Sequence, residues 1–198
     1  MAHRVVAIVG SYRKGGAIDS AVQAILAGAQ EHGAHTHTLY LTDQHLLFCT
    51  NCRRCTQAPG LQRGCCVQQD DLQSILAEID AADALVLGAP VNYWNATAIF
   101  RQFTERLLGA TYWPWGQGPP RLRSKHLTRK AVLVSSSAMP GCCIPLLTGA
   151  ARILRIAAKS LGARPVASLW IGLTGKQPHQ PLSPRARARA RRIGLTLA

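Results

Sequence analysis

Apolar and polar positions run along the chain in blocks whose period switches between strand and helix. Arg4-Val5-Val6-Ala7-Ile8-Val9 is a short, almost unbroken apolar run of the kind a fully buried strand carries. It stops at Gly10-Ser11-Tyr12-Arg13-Lys14-Gly15-Gly16, and from Ala17 to about His32 the apolar residues recur at helical spacing. Thr36 to Leu41 predicts a second strand, beside which His35 and His37 share one face. Asp70 to Ala81 predicts a second helix, with Asp70 or Asp71 as its cap. Ala84 to Ala89 reads as strand three. Thr97 to Leu108 reads as helix three, with Ile99, Phe100, Phe103 and Leu107 on one side. A Trp/Pro/Gly-rich connection covers 110–128. Ala131 to Val134 is strand four, Pro145 to Leu161 helix four, and Pro165 to Ile171 strand five. A Pro-rich link from Gln177 to Pro184 precedes an arginine-rich end.

Short apolar strands separated by helices imply a parallel sheet covered on both faces, with right-handed crossovers. The expected class is α/β: a three-layer, doubly wound parallel sheet of five strands, order 2-1-3-4-5. In such sheets ligands sit beyond the carboxyl ends of the strands, where the order reverses. The loops Gly10–Gly16, Pro90–Asn95 and Ser135–Gly141 then converge. The expected division is one domain over 1–176, followed by a link and basic tail over 177–198.

Each converging loop carries chemistry. The first joins a strand to a helix whose opening N–H groups lack internal partners and carry positive potential, a natural seat for a phosphate. Glycines let the backbone approach a ligand, Ser11 offers a hydroxyl, and Arg13 and Lys14 offer charge. The loop fits neither G-x-x-x-x-G-K-[ST] nor G-x-G-x-x-G, which argues against a triphosphatase and a standard dinucleotide fold. An ordinary strand–helix turn would use glycine in the same places. The second loop, Pro90-Val91-Asn92-Tyr93-Trp94-Asn95, offers two aromatics and two amides, as a planar heteroaromatic ring requires. The alternative is that Tyr93 and Trp94 plug the core and Asn95 caps helix three. The third, with Ser136, Ser137 and Gly141, offers hydroxyls and N–H groups, or is a plain turn.

The chain of 198 residues carries 23 Lys+Arg against 9 Asp+Glu, a net charge of +14. No helix-turn-helix, zinc-finger or RNA-recognition pattern accompanies the charge, which argues against nucleic acid as a partner and for a solvated surface that attracts anionic ligands. No apolar run approaches the roughly 18 residues of a membrane span, and no apolar leader precedes the first loop, so a cytoplasmic location is expected. Seven cysteines in a reducing compartment point to metal ligands or redox groups before disulfides.

The phosphate loop resembles the G-S-x-R-x-x-G loop of the NAD(P)H-dependent FMN reductase group of flavodoxin-like proteins. Pro90 to Ala98, continuing to Arg101, Phe103, Glu105 and Arg106, resembles that group's second loop and helix. The resemblance implies a flavodoxin-like fold. It also implies FMN held by Ser11, Arg13, Lys14, Gly15, Gly16, Ala17, Ile18, Pro90 to Asn95, Ser136, Ser137 and Gly141. NAD(P)H would be co-substrate, and the electrons would go to a quinone, flavin, nitro or azo compound, or metal ion. No single catalytic side chain is implied, because the cofactor carries the chemistry. The chain departs from the group's pattern at Ala17-Ile18, where Asn-Thr is common, at Asn92, where an aromatic is common, and at Trp94, where Gly is common. The resemblance also implies a homodimer or homotetramer. The aromatics Tyr112, Trp113 and Trp115 would either serve that contact or cap the chain's own core.

Cys49-Thr50-Asn51-Cys52-Arg53-Arg54-Cys55 is C-x-x-C-x-x-C, followed by Gly64-Cys65-Cys66. Three such thiolates suit one iron–sulfur cluster, with a fourth ligand from farther along. Zinc, or redox thiols with pKa values lowered by Arg53 and Arg54, are the competing readings. The stretch resembles the cysteine motif of iron–sulfur flavoproteins, in which a 4Fe–4S cluster passes electrons to FMN. That implies Cys49, Cys52, Cys55 and Cys66 as ligands, although the group's gap to the fourth cysteine is usually shorter. Cys142-Cys143 read as small buried side chains. The main expectation is a flavoenzyme. The alternatives are a single-electron relay between cluster and FMN, and a non-enzymatic nucleic-acid-binding protein acting through its arginines.

Overall fold

The computed structural model describes residues 3–177 and 179–197. A parallel sheet of five strands forms its centre: β1 (Arg4–Val9), β2 (His35–Tyr40), β3 (Ala84–Gly88), β4 (Arg129–Ser136) and β5 (Ala163–Ile171), in the order β2-β1-β3-β4-β5. This is the doubly wound, flavodoxin-like order expected. β1 lies between β2 and β3, with Val5 opposite both Thr36 and Ala84, and β3 continues the register into β4 with Ala84 opposite Lys130. The β4–β5 ladder slips once between Ala131 and Val132. There Pro165, which has no N–H to donate, stands on the edge strand, and Val166 bulges past the register.

Two apolar layers follow from the pleat. One face of the sheet packs against α2 (Leu72–Asp80), α3 (Ala98–Arg106) and α4 (Ala150–Ser160), around Phe100, Phe103, Ile75 and Leu85. The other packs against α1 (Ala17–Glu31) and α5 (Pro184–Leu195), around Val9, Val22, Ile25, Val86 and Val132. Helix four, expected as one piece, is a single turn at Ile144–Leu147, a break at Thr148-Gly149, and then α4.

The arginine-rich end is a docked helix, not a tail. Ser183 caps it by accepting from the Ala186 N–H at 3.2 Å, and Pro184 opens it. Ala190 and Leu197 are fully buried in the α1-side core, while the arginines face outward. Small residues let α1 and α5 touch backbone to backbone: a Cβ on Gly28 would lie 2.1 Å from the Arg191 carbonyl oxygen, and one on Gly194 would lie 1.9 Å from that of Ile25. Arg191 meets Glu31 at 2.5 Å across the same seam. In the link before α5, Pro178 lies outside the described residues. Among the described residues no single helix is long and apolar enough to cross a membrane.

Candidate functional site

At the carboxyl ends of β1, β3 and β4 the chain opens a cleft of about 310 Å³. That is near the lower bound of small-molecule pockets. It brings together Ser11, Arg13, Gly16, Ala17 and Ile18 from the first loop, Pro90, Val91 and Asn92 from the second, and Ser136 and Ser137 from the third. Gly10 makes this possible, because a Cβ there would lie 2.7 Å from the Phe100 Cβ. Thr97 at the start of α3 donates its hydroxyl to the Gly10 carbonyl, which pins the first loop to the second.

The first loop is tied to itself. The Arg13 N–H donates to Ser11 Oγ at 3.2 Å, and the Gly16 N–H to the Arg13 carbonyl at 3.3 Å. Asp19, buried in the first turn of α1, accepts from the Gly15 N–H at 2.6 Å and from the Tyr40 hydroxyl at 2.7 Å. Burial and the Asp19 carboxylate push the Tyr40 hydroxyl up to about 12. The Gly15 N–H is thus taken, and a ligand at this helix start meets Ser11, Arg13 and the opening N–H groups of α1. Lys14 is turned away from the cleft: its Nζ is 2.6 Å from Asp43 and lies over the Tyr40 ring.

Five further residues that the sequence nominates, Gly15, Tyr93, Trp94, Asn95 and Gly141, do not line the cleft. Tyr93 and Trp94 form the tip of a two-residue turn between Asn92 and Asn95, with φ of 47° and 66°. Such a turn needs left-handed backbone at both positions and normally uses Asn or Gly. Trp94 is therefore strained where the resembled group commonly has glycine, and strain of this kind concentrates at functional sites. Tyr93 is 95% exposed and Trp94 62%, so neither plugs the core. Asn95 packs its amide against Gly149 and accepts from its own neighbour Ala96 rather than capping α3. Gly141 packs against the Trp170 carbonyl behind the cleft. The cleft also takes in residues the sequence reading passed over: Tyr12, Thr97, Ala138, Thr174, Gly175, Gln177 and Gln180.

The cysteine stretch, residues 42–69, lies along the α2–α3 side and is held by three buried arginines. Arg106, at the end of α3, is 1% exposed in its side chain and forms a two-pronged ion pair with the fully buried Asp70. Arg106 also reaches the Leu47 carbonyl at 2.6 Å and Cys66 Sγ at 3.4 Å. Burial opposes the charge on Asp70. Arg106 and the N–H groups of Leu47 and Leu72 outweigh it and hold the carboxyl below the usual carboxylate range. Asp70 therefore does more than the capping expected of it, although it does accept from Leu72 at 3.2 Å. Arg123 donates to four backbone carbonyls, those of Cys55, Ala58, Gly60 and Gly109. Arg53, with φ of 56°, is sandwiched between the rings of Trp113 at 3.6 Å and Trp115 at 3.9 Å.

Among the thiols, Cys55 is pushed up by burial and by its neighbours Cys66, Cys49 and Cys52. Cys55 and Cys66 line one cavity beside α2, together with Cys65, while Cys49 and Cys52 do not. No three His, Cys, Asp or Glu side chains among the described residues converge on a metal-sized point. The loop as folded does not present a closed ligand set. Cys52 is lowered by the Arg54 backbone N–H and the Thr50 side chain, with the Arg54 charge adding a smaller share. Arg53, expected to help, stacks on tryptophans instead. Cys142 is exposed and Cys143 half-buried, so the pair are not the buried fillers expected.

The comparisons agree with this architecture. A family model described as NADPH-dependent FMN reductase matches residues 3–141, and the chain belongs to that family. Curated iron–sulfur flavoproteins of Archaeoglobus fulgidus and Methanosarcina thermophila are 31% and 29% identical over 123 and 103 residues, covering 62% and 52% of this chain. The chain spans about half the length of these relatives, 51% in each case. Among solved structures, an azoreductase from Bacillus anthracis superposes with a TM-score of 0.70 at 13% identity, over 98% of this chain and 99% of its own. An NAD(P)H:quinone oxidoreductase from Methanothermobacter marburgensis gives 0.67 at 17% identity, over 100% and 98%. At such identities the likeness is one of fold.

Proposed function

We propose that this chain is an FMN-dependent oxidoreductase that takes hydride from NAD(P)H and delivers electrons to a small-molecule acceptor such as a quinone, a free flavin, a nitro or azo compound, or a metal ion. The observation that carries the reading is the convergence of Ser11–Arg13, Gly16–Ile18, Pro90–Asn92 and Ser136–Ser137 on one cleft at the switch point of the sheet. The residues present suit the group: polar donors at a helix start for a phosphate, and an apolar floor of Pro90, Val91 and Ile18 for a ring.

FMN supplies two-electron and one-electron chemistry when bound. The protein's part is binding, orientation and electrostatics. Ser11, Arg13 and the α1 start anchor the anionic end. Pro90 and Val91 offer a flat apolar wall. Asn92 and the 136–137 hydroxyls stand where a ring's polar edge would seek hydrogen bonds. The buried strand ends beneath exclude water from below. The surplus of cations favours approach of an anionic nicotinamide dinucleotide.

We place the protein in a reducing compartment, the cytoplasm, which its seven free thiols suit. We also infer a homo-oligomer. Tyr93, Trp94, Leu146 and Leu147 are all exposed, and the Gly149 N–H donates to the Trp94 carbonyl at 2.8 Å, which brings these segments together beside the cleft. The absorbance spectrum of fresh protein under nitrogen tests the main reading. Flavin bands that bleach on adding NADPH are expected, and protein that takes up no FMN would refute it. A second reading, an iron–sulfur flavoprotein, is supported by the C-x-x-C-x-x-C spacing of Cys49, Cys52 and Cys55, by Cys55 and Cys66 lining one cavity, and by the likeness to curated iron–sulfur flavoproteins. Iron and acid-labile sulfide assays on anaerobically purified protein decide it: both must be present in stoichiometric amounts.

A further inference from the structure

Beyond β5 the chain turns back over the cleft instead of leaving the sheet. The Leu173 N–H donates to the Met139 carbonyl, and both the N–H and the hydroxyl of Thr174 donate to the Ser137 carbonyl, each at 3.0 Å. Gln180 braces this segment from within: its Nε2 donates to the Leu173 carbonyl at 3.1 Å and its Oε1 accepts from the Lys176 N–H at 3.3 Å. Leu182, buried in the α1-side core, fixes the far end, and α5 begins directly after. Anchored at both ends, the segment presents Gln177 to the cleft. It also sets His179 over the first loop, with Nδ1 3.7 Å from where a Cβ on Gly15 would stand. Gly15 has φ of +73°, so a side chain there is disfavoured, and the imidazole stands beside bare backbone next to the lining residues Arg13 and Gly16.

The first loop is short of donors for a phosphate monoester. The Gly15 N–H is bound by Asp19, Lys14 is bound by Asp43, and Ala17 and Ile18 bring no hydroxyl or amide. Arg13, the Tyr12 hydroxyl, the helix start and a Ser11 hydroxyl that already donates to the Arg13 carbonyl at 3.3 Å remain, while a phosphate dianion has acceptor sites for more.

We propose that residues 173–177 and 179–182 form a phosphate strap in which His179 and Gln177 donate hydrogen bonds to the phosphate end of FMN, supplying from the carboxyl-terminal segment what positions 17 and 18 lack. The inference rests on the flavin reading, deepens it, and assigns binding rather than catalytic roles.

The full-length protein, stripped of flavin, is titrated with FMN and separately with riboflavin, following quenching of flavin fluorescence. The two ligands share ring and ribityl chain and differ in the phosphate. His179→Ala is expected to weaken FMN binding about 10-fold, the effect of one hydrogen bond to a charged group, and to leave riboflavin binding unchanged. His179→Gln, which keeps a donor, recovers part of the loss. Gln177→Ala shows a smaller loss with the same selectivity. Melting temperatures of the flavin-free variants match wild type, since both side chains are exposed. Wild type that prefers FMN while His179→Ala binds both ligands as wild type does overturns the strap and leaves the flavin reading standing. Equal loss of FMN and riboflavin in His179→Ala also overturns it. Wild type that binds neither ligand removes the flavin reading and the strap together.

Discussion

The cleft and the cysteine stretch lie on one molecule but are held in place by different means. The cleft is set by the sheet: three strand ends fix where its loops begin, and small residues such as Gly10 let them close up. The cysteine stretch has no strand through it and depends on Arg106 and Arg123 reaching in from elsewhere in the chain and on its own Arg53 reaching out to Trp113. A region framed by a sheet tolerates loss of a single contact. A region held by buried guanidinium groups loses several backbone partners with each side chain removed.

The largest effect is expected for Arg106→Ala. It strands the Asp70 carboxylate, whose side chain is fully buried, and should cost about 3–5 kcal/mol, read by urea unfolding. The pair also sets a pH dependence. Because the Asp70 pKa lies below its unfolded value near 3.9, its stabilisation is present at neutral pH and is lost as pH falls through about 4 and below. Wild type should show that acid loss, and Arg106→Ala should show less of it. Next comes Arg123→Met, which removes a donor from four carbonyls, of which Gly109 keeps the Gly64 N–H, and should cost about 3 kcal/mol locally. Proteolysis between residues 54 and 66 should accelerate while FMN affinity holds. Loss of FMN affinity in that variant would erase the distinction between the two regions.

Gly10→Ala tests the other side. Its methyl group meets Phe100, and overpacking of this kind costs about 1–3 kcal/mol. FMN affinity should fall and the protease resistance of the cysteine stretch should stay as in wild type. The smallest effect is expected for Lys14→Ala, which removes an exposed ion pair with Asp43 worth about 1 kcal/mol or less. FMN affinity should not change, because the ammonium group points away from the cleft. A tenfold loss would return Lys14 to the phosphate site.

The same division governs what the sequence made legible. The sheet order and the cleft loops follow from local patterns: an apolar run ending in Gly10, and Pro90 at the end of another. The clamps could not be read that way, because Arg123 meets its partners across 14 to 68 residues. Arg106 did leave a trace, a charge three residues after Phe103 on an otherwise apolar helix stripe. Lys14 and Arg53 carry charge in suggestive places, yet their orientation is decided by Asp43 and by Trp113 and Trp115. The arginines after Pro184 hid a helix, because alternating Arg and Ala has no apolar stripe wide enough to signal docking; Ala190 and Gly194 dock by being small.

That close seat between α1 and α5 has a further consequence. α1 starts at the first loop and α5 starts shortly after Gly175, Gln177 and Gln180 border the cleft, so each rod is joined to one lip of the opening. A bulkier residue at position 28 would prise the rods apart at their crossing and spread the lips with them. Retention of a bound molecule would then respond to a position that touches none of it.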